Sequence, residues 1–122
     1  MIVAGFGFRK VATVDSFADA FDKAAGGATV DGLATVADKA DHPAFCTFAA
    51  QMGLPIHRVS PDLLLHQNPI TNSEISKKTR GTGSVSEAAA QAAAGPQARL
   101  LGLRVISEDR LATCALASGD ET

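Results

Sequence analysis

The residues best suited to bind a ligand form a glycine-containing loop in front of an alanine-rich helix. This loop, Arg80–Ser84, has the sequence RGTGS, and Lys77 and Lys78 precede it. A helix N-terminus offers unpaired main-chain N–H groups and about half a positive charge. Glycines let these amides approach a ligand closely because no Cβ intervenes. The pattern favours a site for carboxylate or phosphate groups, although an ordinary tight turn before a capped helix would have the same sequence.

Glu87, three residues into this helix, permits two interpretations. Ser84 and Glu87 have the Ser-x-x-Glu spacing of a capping box, in which the carboxylate accepts a main-chain N–H at the helix start. Alternatively, Glu87 is a functional carboxylate. Because capping explains the position fully, the sequence favours the structural role.

Two other segments carry suitable groups at the ends of predicted strands. Gly5, Gly7 and Arg9 end the first strand, and Thr35 and Lys39 follow the second. Ligands of open α/β sheets bind outside the carboxyl ends of the strands, so we expect these residues near the Arg80–Ser84 loop. The alternative for the glycines is close packing within the fold.

Metal and nucleophile chemistry has less support. His42 and Cys46 are one helical turn apart, a spacing that two metal ligands can use, but local spacing supplies no third ligand. We therefore expect no metal site, Cys46 in the core, and His42 near the strand ends. The loop is not a Walker loop, because no Gly-Lys-Ser/Thr follows its glycines, and the chain has no Gly-x-Ser-x-Gly elbow.

Hydrophobic periodicity predicts the elements that position these groups. The predicted elements are, in chain order, a strand at Ile2–Phe8; a helix capped by Asp15 or Ser16 and ending at Ala25; a strand within Val30–Val36; a helix capped by Asp41, with Pro43 in its first turn, ending at Gly53; a strand at Leu54–Val59; a short helical turn through Leu65; a mobile loop at Gln67–Thr79; a helix after Ser84 ending at Gly95; and strands at Arg104–Ser107 and Leu111–Ala117.

Two predicted helices have buried stripes that the structure can test. These stripes comprise Phe45, Phe48, Ala49 and Met52 in the second helix and Val85, Ala88, Ala89, Ala92 and Ala93 in the last. The element order predicts a three-layer α/β/α sandwich with a mixed, mainly parallel sheet and a C-terminal antiparallel hairpin. We expect one domain over residues 1–118 and a tail at 119–122.

Composition narrows the class of protein. The chain has 122 residues, a net charge of −2 and no Trp or Tyr, so neither nucleic acid nor an anionic membrane is an expected partner. Met1 is followed by an apolar strand rather than by a basic signal-peptide region. With only Cys46 and Cys114, the sequence predicts a cytoplasmic protein with reduced, buried thiols.

Four segments together resemble the CobE / CbiG C-terminal-domain family of cobalamin (vitamin B12) biosynthesis. They are Val3–Arg9, Leu33–Thr35 with Lys39, Gly81–Ala90, and Ala112–Ala117. The third is the most specific, because it resembles the family's Gly-x-x-Ser-Val-x-Glu-x-Ala-Ala block. The chain is most similar to the stand-alone form of the family.

The resemblance implies an α/β sandwich that binds, or acts on, a corrin-ring precursor. Such ligands carry acetate and propionate arms around a flat apolar ring, which suits several anion sites along one edge. The expected ligand-binding residues are Gly5, Gly7, Arg9, Thr35, Lys39, Arg80, Gly81, Thr82, Gly83, Ser84 and Glu87. No cofactor is expected, and other pathway enzymes are possible partners.

Three functions stay open at this point. The first is a binding protein that stabilises a precorrin or a hydrogenobyrinic-acid-like intermediate or hands it on. The second is a hydrolase that opens a precorrin lactone and releases acetaldehyde, for which the catalytic candidates are Glu87, Lys39 and His42. The third is a nucleotide-phosphate binder that uses the same loop. In each case we expect the Gln67–Thr79 loop to close over the ligand.

Overall fold

The fold is built around its first strand. In the computed structural model, which describes residues 2–60, 85–95, 98–102 and 104–119, strand β1 lies between a parallel and an antiparallel neighbour. The predicted helical turn after Ser60, the Gln67–Thr79 loop and the Arg80–Ser84 loop lie outside the described residues.

The described elements alternate as the sequence predicts. They are, in order, β1 (Ile2–Phe8), α1 (Val14–Ala25), β2 (Gly32–Val36), a 3₁₀ turn (Ala37–Lys39), α2 (Pro43–Met52), β3 (Ile56–Val59), α3 (Val85–Ala94), β4 (Arg99–Leu100), β5 (Val105–Ile106) and β6 (Ala112–Ser118). The described strands form a six-stranded sheet in the order β3-β2-β1-β6-β4, and β5 also pairs with β6. Strands β1, β2 and β3 are parallel, whereas β6 is antiparallel to β1, β4 and β5.

Side chains that alternate along β1 contribute to two separate hydrophobic cores. Ala4, Phe6 and Phe8 belong to a core shared with α1 and α2, and Val3 belongs to a second core shared with α3. Because successive strand residues face opposite sides of a sheet, the sheet lies between α1 and α2 on one side and α3 on the other. This arrangement confirms the predicted three-layer sandwich and its C-terminal antiparallel hairpin.

The larger core is a phenylalanine cluster. Phe6 is fully buried, and its ring meets Phe17, Phe45 and Phe48 edge-on at centroid distances of 5.8, 5.5 and 5.8 Å. Edge-to-face pairs of this kind contribute about 0.5–1.5 kcal/mol beyond their area burial. Six phenylalanines thus supply the aromatic packing in a chain that has no Trp or Tyr.

The smaller core depends on small residues. A Cβ added at Gly5 would lie 2.0 Å from the main-chain oxygen of Ser86 and 2.5 Å from the main-chain nitrogen of Ala90. Only glycine at this position lets α3 approach β1 so closely. On α3 itself, the predicted stripe is partly wrong, because Ser86, Glu87 and Ala90 are fully buried, whereas Ala92 and Ala93 are only half-buried. The close approach to the sheet buries more than one face of this helix.

Two helix starts differ from the prediction. Helix α1 is capped by Thr13, not by Asp15 or Ser16, because Thr13 and Ser16 bond each other's main-chain N–H reciprocally. Helix α2 begins after His42, and Asp41 does not cap it. Instead, the Asp41 carboxylate accepts a hydrogen bond from Arg58 at 2.6 Å, and this pairing holds the pKa of Asp41 below its usual value. Pro43 does occupy the first turn.

Three further expectations need correction. Cys46 is exposed rather than in the core, because it lies beside the Phe45 and Phe48 stripe. Met52, at the end of α2, is 40% exposed. Strand β4 was not predicted; with two residues it is too short to have a periodic pattern. None of the helices within the described ranges is long and apolar enough to cross a membrane.

Candidate functional site

One edge of the sheet gathers the ends of several elements. Phe8, at the end of β1, pairs with Ala112, at the start of β6, while Ile2 pairs with Ser118 at the opposite edge. Because β2 and β3 run parallel to β1, their carboxyl ends lie at the same edge as Phe8. We call this side of the sheet the carboxyl edge.

Helix α3 starts towards the carboxyl edge. Cβ positions built at Gly5 and Gly119 would meet Ser86 and Ala94, respectively, so the helix runs antiparallel to β1. Its N-terminal turn therefore lies near the ends of β1 and β2. The helix dipole favours anions at such a terminus.

Two polar side chains from the second β-α unit bond the main chain of β1. The Thr35 hydroxyl, fully buried, donates to the carbonyl oxygen of Phe6 at 2.9 Å. The Lys39 Nζ donates to the carbonyl oxygen of Phe8 at 2.6 Å and lies 5.3 Å from the centre of the Phe8 ring. The Thr35 bond joins β2 to β1, which gives this buried hydroxyl a structural role. The Lys39 bond holds the ammonium group at the carboxyl edge. A ligand-binding role for either residue stays a prediction.

His42 is fixed in place beside the same strand end. Its Nε2 lies 2.7 Å from the carbonyl oxygen of Lys10, and its ring packs edge-on against Phe8 and Phe17. Since a carbonyl oxygen only accepts, Nε2 must carry the hydrogen. Nδ1 is shielded from solvent and has no hydrogen-bond partner among the described residues. The expectation that His42 lies near the strand ends is therefore confirmed.

Glu87 is fully buried in the first turn of α3, which the sequence did not indicate. Its Oε2 accepts a hydrogen bond from the main-chain N–H of Arg104 at 3.0 Å. This bond joins the start of α3 to the segment that enters β5. The proposed capping partner, Ser84, lies outside the described residues, so the capping box stays a prediction.

The β5–β6 hairpin brings two further arginines to the carboxyl edge. Arg104 precedes β5, and Arg110, in the left-handed conformation at φ 65°, lies in the turn. Together with Arg9 they line a cavity of about 390 Å³. Arg9 was predicted from the sequence, but Arg104 and Arg110 were not, because the position of the hairpin follows from the β1–β6 pairing, for which the sequence has no local signal.

A hydrogen-bond network fixes the hairpin turn to α1. Asp109 accepts from Ser16 Oγ at 2.6 Å and from Ser107 Oγ at 2.5 Å, and the main-chain N–H of Leu111 donates to it at 3.0 Å. These donors, led by Ser107, hold the pKa of Asp109 below its usual value. Asp19 adds a bond to the main-chain N–H of Glu108 at 2.6 Å. The turn that carries Arg110 is thus held to α1 by two side chains, those of Ser16 and Asp19.

No group of three or more potential metal-ligating side chains occurs among the residues that the structure describes. His42 precedes α2 and Cys46 lies in its first turn, where the Cys46 Sγ donates to the carbonyl oxygen of Ala40 at 3.3 Å.

Comparison with known proteins identifies the family. Residues 2–117 match the family model described as Cobalamin synthesis G C-terminus. The chain belongs to this family. Its fold and the family's place in cobalamin biosynthesis thus agree with the resemblance found in the sequence. A search of curated proteins finds no match.

Solved structures support membership of the Cobalamin synthesis G C-terminus family. Cobalamin biosynthesis protein chiG from Agrobacterium tumefaciens is 35% identical, with a TM-score of 0.75 over 99% of this chain and all of that chain. CobE, from the cobalamin biosynthetic pathway, is 27% identical, with a TM-score of 0.77 over 96% of this chain and 89% of that one. A putative cobalamin biosynthesis protein G homologue from Sulfolobus solfataricus shares the fold at 18% identity and a TM-score of 0.71, over 98% of this chain and 37% of that chain.

Proposed function

We propose that the chain binds a corrin-ring precursor at the carboxyl edge of its sheet and stabilises it or passes it to another enzyme of the pathway. The observation that carries this proposal is the convergence of Arg9, Lys39 and the start of α3 at one edge. Membership of a cobalamin biosynthesis family supplies the class of ligand.

The chemistry of the edge suits a flat ring with carboxylate arms. Arg9 and Lys39 are exposed cations on separate segments, so they can meet arms at different points of the ring. The Phe8 carbonyl takes one N–H of the Lys39 ammonium, and the remaining donors can bond a carboxylate. Charge-assisted hydrogen bonds of this kind are about twice as strong as neutral ones.

The hydrolase alternative is less well supported by the same contacts. A general base must reach a water molecule bound at the substrate. Glu87 is fully buried and bonds the main-chain N–H of Arg104, and the free ring nitrogen of His42 is shielded from solvent. These structural contacts favour a binding role over water activation.

The test is a thermal-shift titration of the whole chain with hydrogenobyrinic acid, its cobalt-bearing counterpart and a panel of nucleotides. Binding to the native state stabilises it by about 2.7 kcal/mol when free ligand is about 100 times Kd. We expect a concentration-dependent rise in Tm with corrinoids and no rise with nucleotides. A rise with nucleotides alone would replace this proposal with the nucleotide-phosphate binder.

Two substitutions localise the binding. Arg9→Gln and Lys39→Met should weaken corrinoid binding, since each removes a cation from the carboxyl edge. Arg99→Gln is the matched control, because Arg99 pairs with Ser118 at the opposite edge. Equal Tm shifts in all three variants would argue against binding at the carboxyl edge. Cytoplasmic location and the absence of nucleic-acid and membrane partners stay predictions.

A further inference from the structure

The cavity at the carboxyl edge lies between the end of β1 and the β5–β6 hairpin. Arg9 comes from the chain after β1, Arg104 from the segment before β5, and Arg110 from the hairpin turn. The bond from the Arg104 main chain to Glu87 places the cavity beside the first turn of α3. Its volume of about 390 Å³ is within the usual range for small-ligand sites.

Three arginines line the cavity. In the described part of the chain, none of their guanidinium groups forms an ion pair with an acidic side chain. The nearby Asp109 carboxylate is occupied by Ser107, Ser16 and the main chain of Leu111. The cavity therefore brings together three arginines that form no ion pair among the described residues, on a chain whose net charge is −2.

One donor of the Arg104 side chain has no described partner. Its Nε is buried and has no hydrogen-bond partner among the described residues. Arginine bonds carboxylates in a two-point geometry through its N–H groups, which suits Arg104 and Arg110 to a carboxylate ligand.

Apolar groups complete the lining. Phe8, Ile106 and Leu111 line the same cavity as the arginines. A phosphate ion would leave this apolar surface unused, whereas a carboxylate on a short carbon chain contacts both kinds of surface. The combination favours an organic carboxylate over inorganic phosphate.

We infer that this cavity is a carboxylate-binding subsite in which Arg104 and Arg110 select a ligand arm that ends in carboxylate over one that ends in amide. The inference deepens the proposed function, on which it rests for the identity of the whole ligand. The preference of the cavity for carboxylate over amide can be measured with small carboxylates, without a corrinoid.

The first experiment uses NMR of the whole ¹⁵N-labelled chain titrated with tricarballylate, its triamide and inorganic phosphate. We expect tricarballylate to give saturable shifts of the main-chain amides of Arg9, Arg104 and Arg110, and the triamide to give none. Saturable shifts of the same amides with the triamide would overturn the preference for carboxylate, and tighter binding of phosphate would overturn the assignment to an organic carboxylate.

Two substitutions test the arginines separately. Arg104→Gln keeps the main-chain bond to Glu87, and Arg110→Asn suits the left-handed conformation at that position. Loss of a charged hydrogen bond of about 1.5–3 kcal/mol corresponds to a rise in Kd of about tenfold or more in each variant. Arg99→Gln, at the opposite edge, should leave the Kd for tricarballylate unchanged.

A final titration with hydrogenobyrinic acid separates this inference from the proposed function. In one outcome, tricarballylate shifts the amides of the unmodified chain but not those of the two variants, and hydrogenobyrinic acid does not bind. This outcome would support the subsite and contradict the proposed function. Corrinoid binding that weakens in both variants supports both. If hydrogenobyrinic acid and tricarballylate bind Arg104→Gln and Arg110→Asn as tightly as the unmodified chain, the subsite is overturned while the proposed function stands.

Discussion

The carboxylate of Glu87 and the main-chain N–H of Arg104 are joined by a hydrogen bond of 3.0 Å. Glu87 is fully buried, and this bond ties the first turn of α3 to the chain that enters the β5–β6 hairpin. Because the donor is the main-chain N–H, the bond does not involve the side chain of Arg104, a residue that lines the neighbouring cavity. The sequence indicates Glu87 as a helix cap. In the structure it connects the start of α3 to the segment before β5.

Removal of the Glu87 side chain should destabilise the fold. Glu87→Ala leaves the Arg104 N–H without its acceptor, which costs about 1–3 kcal/mol, and opens a void in a buried site. Glu87→Gln keeps an amide oxygen and a similar volume, so its loss should be smaller. Urea denaturation of both variants measures the free energies of unfolding, and a Glu87→Ala variant as stable as the unmodified chain would contradict the structural role.

The same pair of variants addresses catalysis. If Glu87 serves the fold, Glu87→Gln should retain pathway flux when it replaces the natural protein in a complementation assay. Loss of flux in a Glu87→Gln variant with unchanged stability and unchanged corrinoid binding would instead support the hydrolase alternative.

Gly5 should tolerate no side chain. In Gly5→Ala, the added methyl group would lie 2.0 Å from the Ser86 oxygen and 2.5 Å from the Ala90 nitrogen, both in the main chain of α3. Side-chain rotation cannot relieve these contacts, so the helix must move. We expect a loss of about 1–3 kcal/mol or more, which is the usual cost of overpacking.

Gly102 provides the matched control for Gly5. A Cβ at Gly102 would meet no atom within 4 Å. Gly102→Ala should therefore change the free energy of unfolding by less than about 0.5 kcal/mol or stabilise slightly through the unfolded state. Equal losses for the two variants in urea denaturation would show that the α3–β1 contact is not what requires glycine at position 5.

Asp109 should make stability depend on pH in acid. Hydrogen bonds from Ser107, Ser16 and the Leu111 N–H lower its pKa in the folded state. A lowered folded pKa contributes stability that is present above the unfolded pKa and is lost as pH falls through the folded one. Asp109→Asn should therefore be less stable than the unmodified chain near pH 7, and the difference should shrink below about pH 4.

NMR titration of the Asp109 carboxyl group checks the cause directly. The folded chain should give a pKa below that of the same residue in the urea-unfolded chain. A folded pKa equal to or above the unfolded one would contradict the network, and so would a stability difference between Asp109→Asn and the unmodified chain that does not change with pH.

The sequence predicted the fold well where patterns are local. The apolar run Ile2–Phe8, the predicted helix end at Ala25 and the glycine at 53 correctly located β1 and the ends of two helices, because each depends on periodicity or chain stops within one element. The predicted cap of α2 failed for a tertiary reason. Asp41 is an ordinary helix cap by type, but its partner is Arg58, which is distant in sequence.

The candidate site was predictable only in part. Strand ends followed by Arg9 and Lys39 pointed to the carboxyl edge, because parallel strands bring such ends together. Arg104 and Arg110 reach that edge only because β6 pairs antiparallel with β1, a contact between the two ends of the chain. Such long-range pairing has no local pattern, and the burial of Glu87 follows from it as well.

The two cysteines should react very differently. The Cys114 thiol is fully buried, and burial raises its pKa, which lowers the concentration of the reactive thiolate. Cys46 is exposed on α2. A disulfide reagent should therefore label Cys46 rapidly in the native chain, while Cys114 reacts only through opening of the fold, more than about a thousandfold more slowly.

In Cys46→Ser the rapid phase should disappear, and in Cys114→Ala it should persist. Both thiols should react at similar rates in the urea-unfolded chain, which controls for intrinsic reactivity. A rapid phase that survives in Cys46→Ser would place Cys114 in contact with solvent and contradict its position in the phenylalanine core.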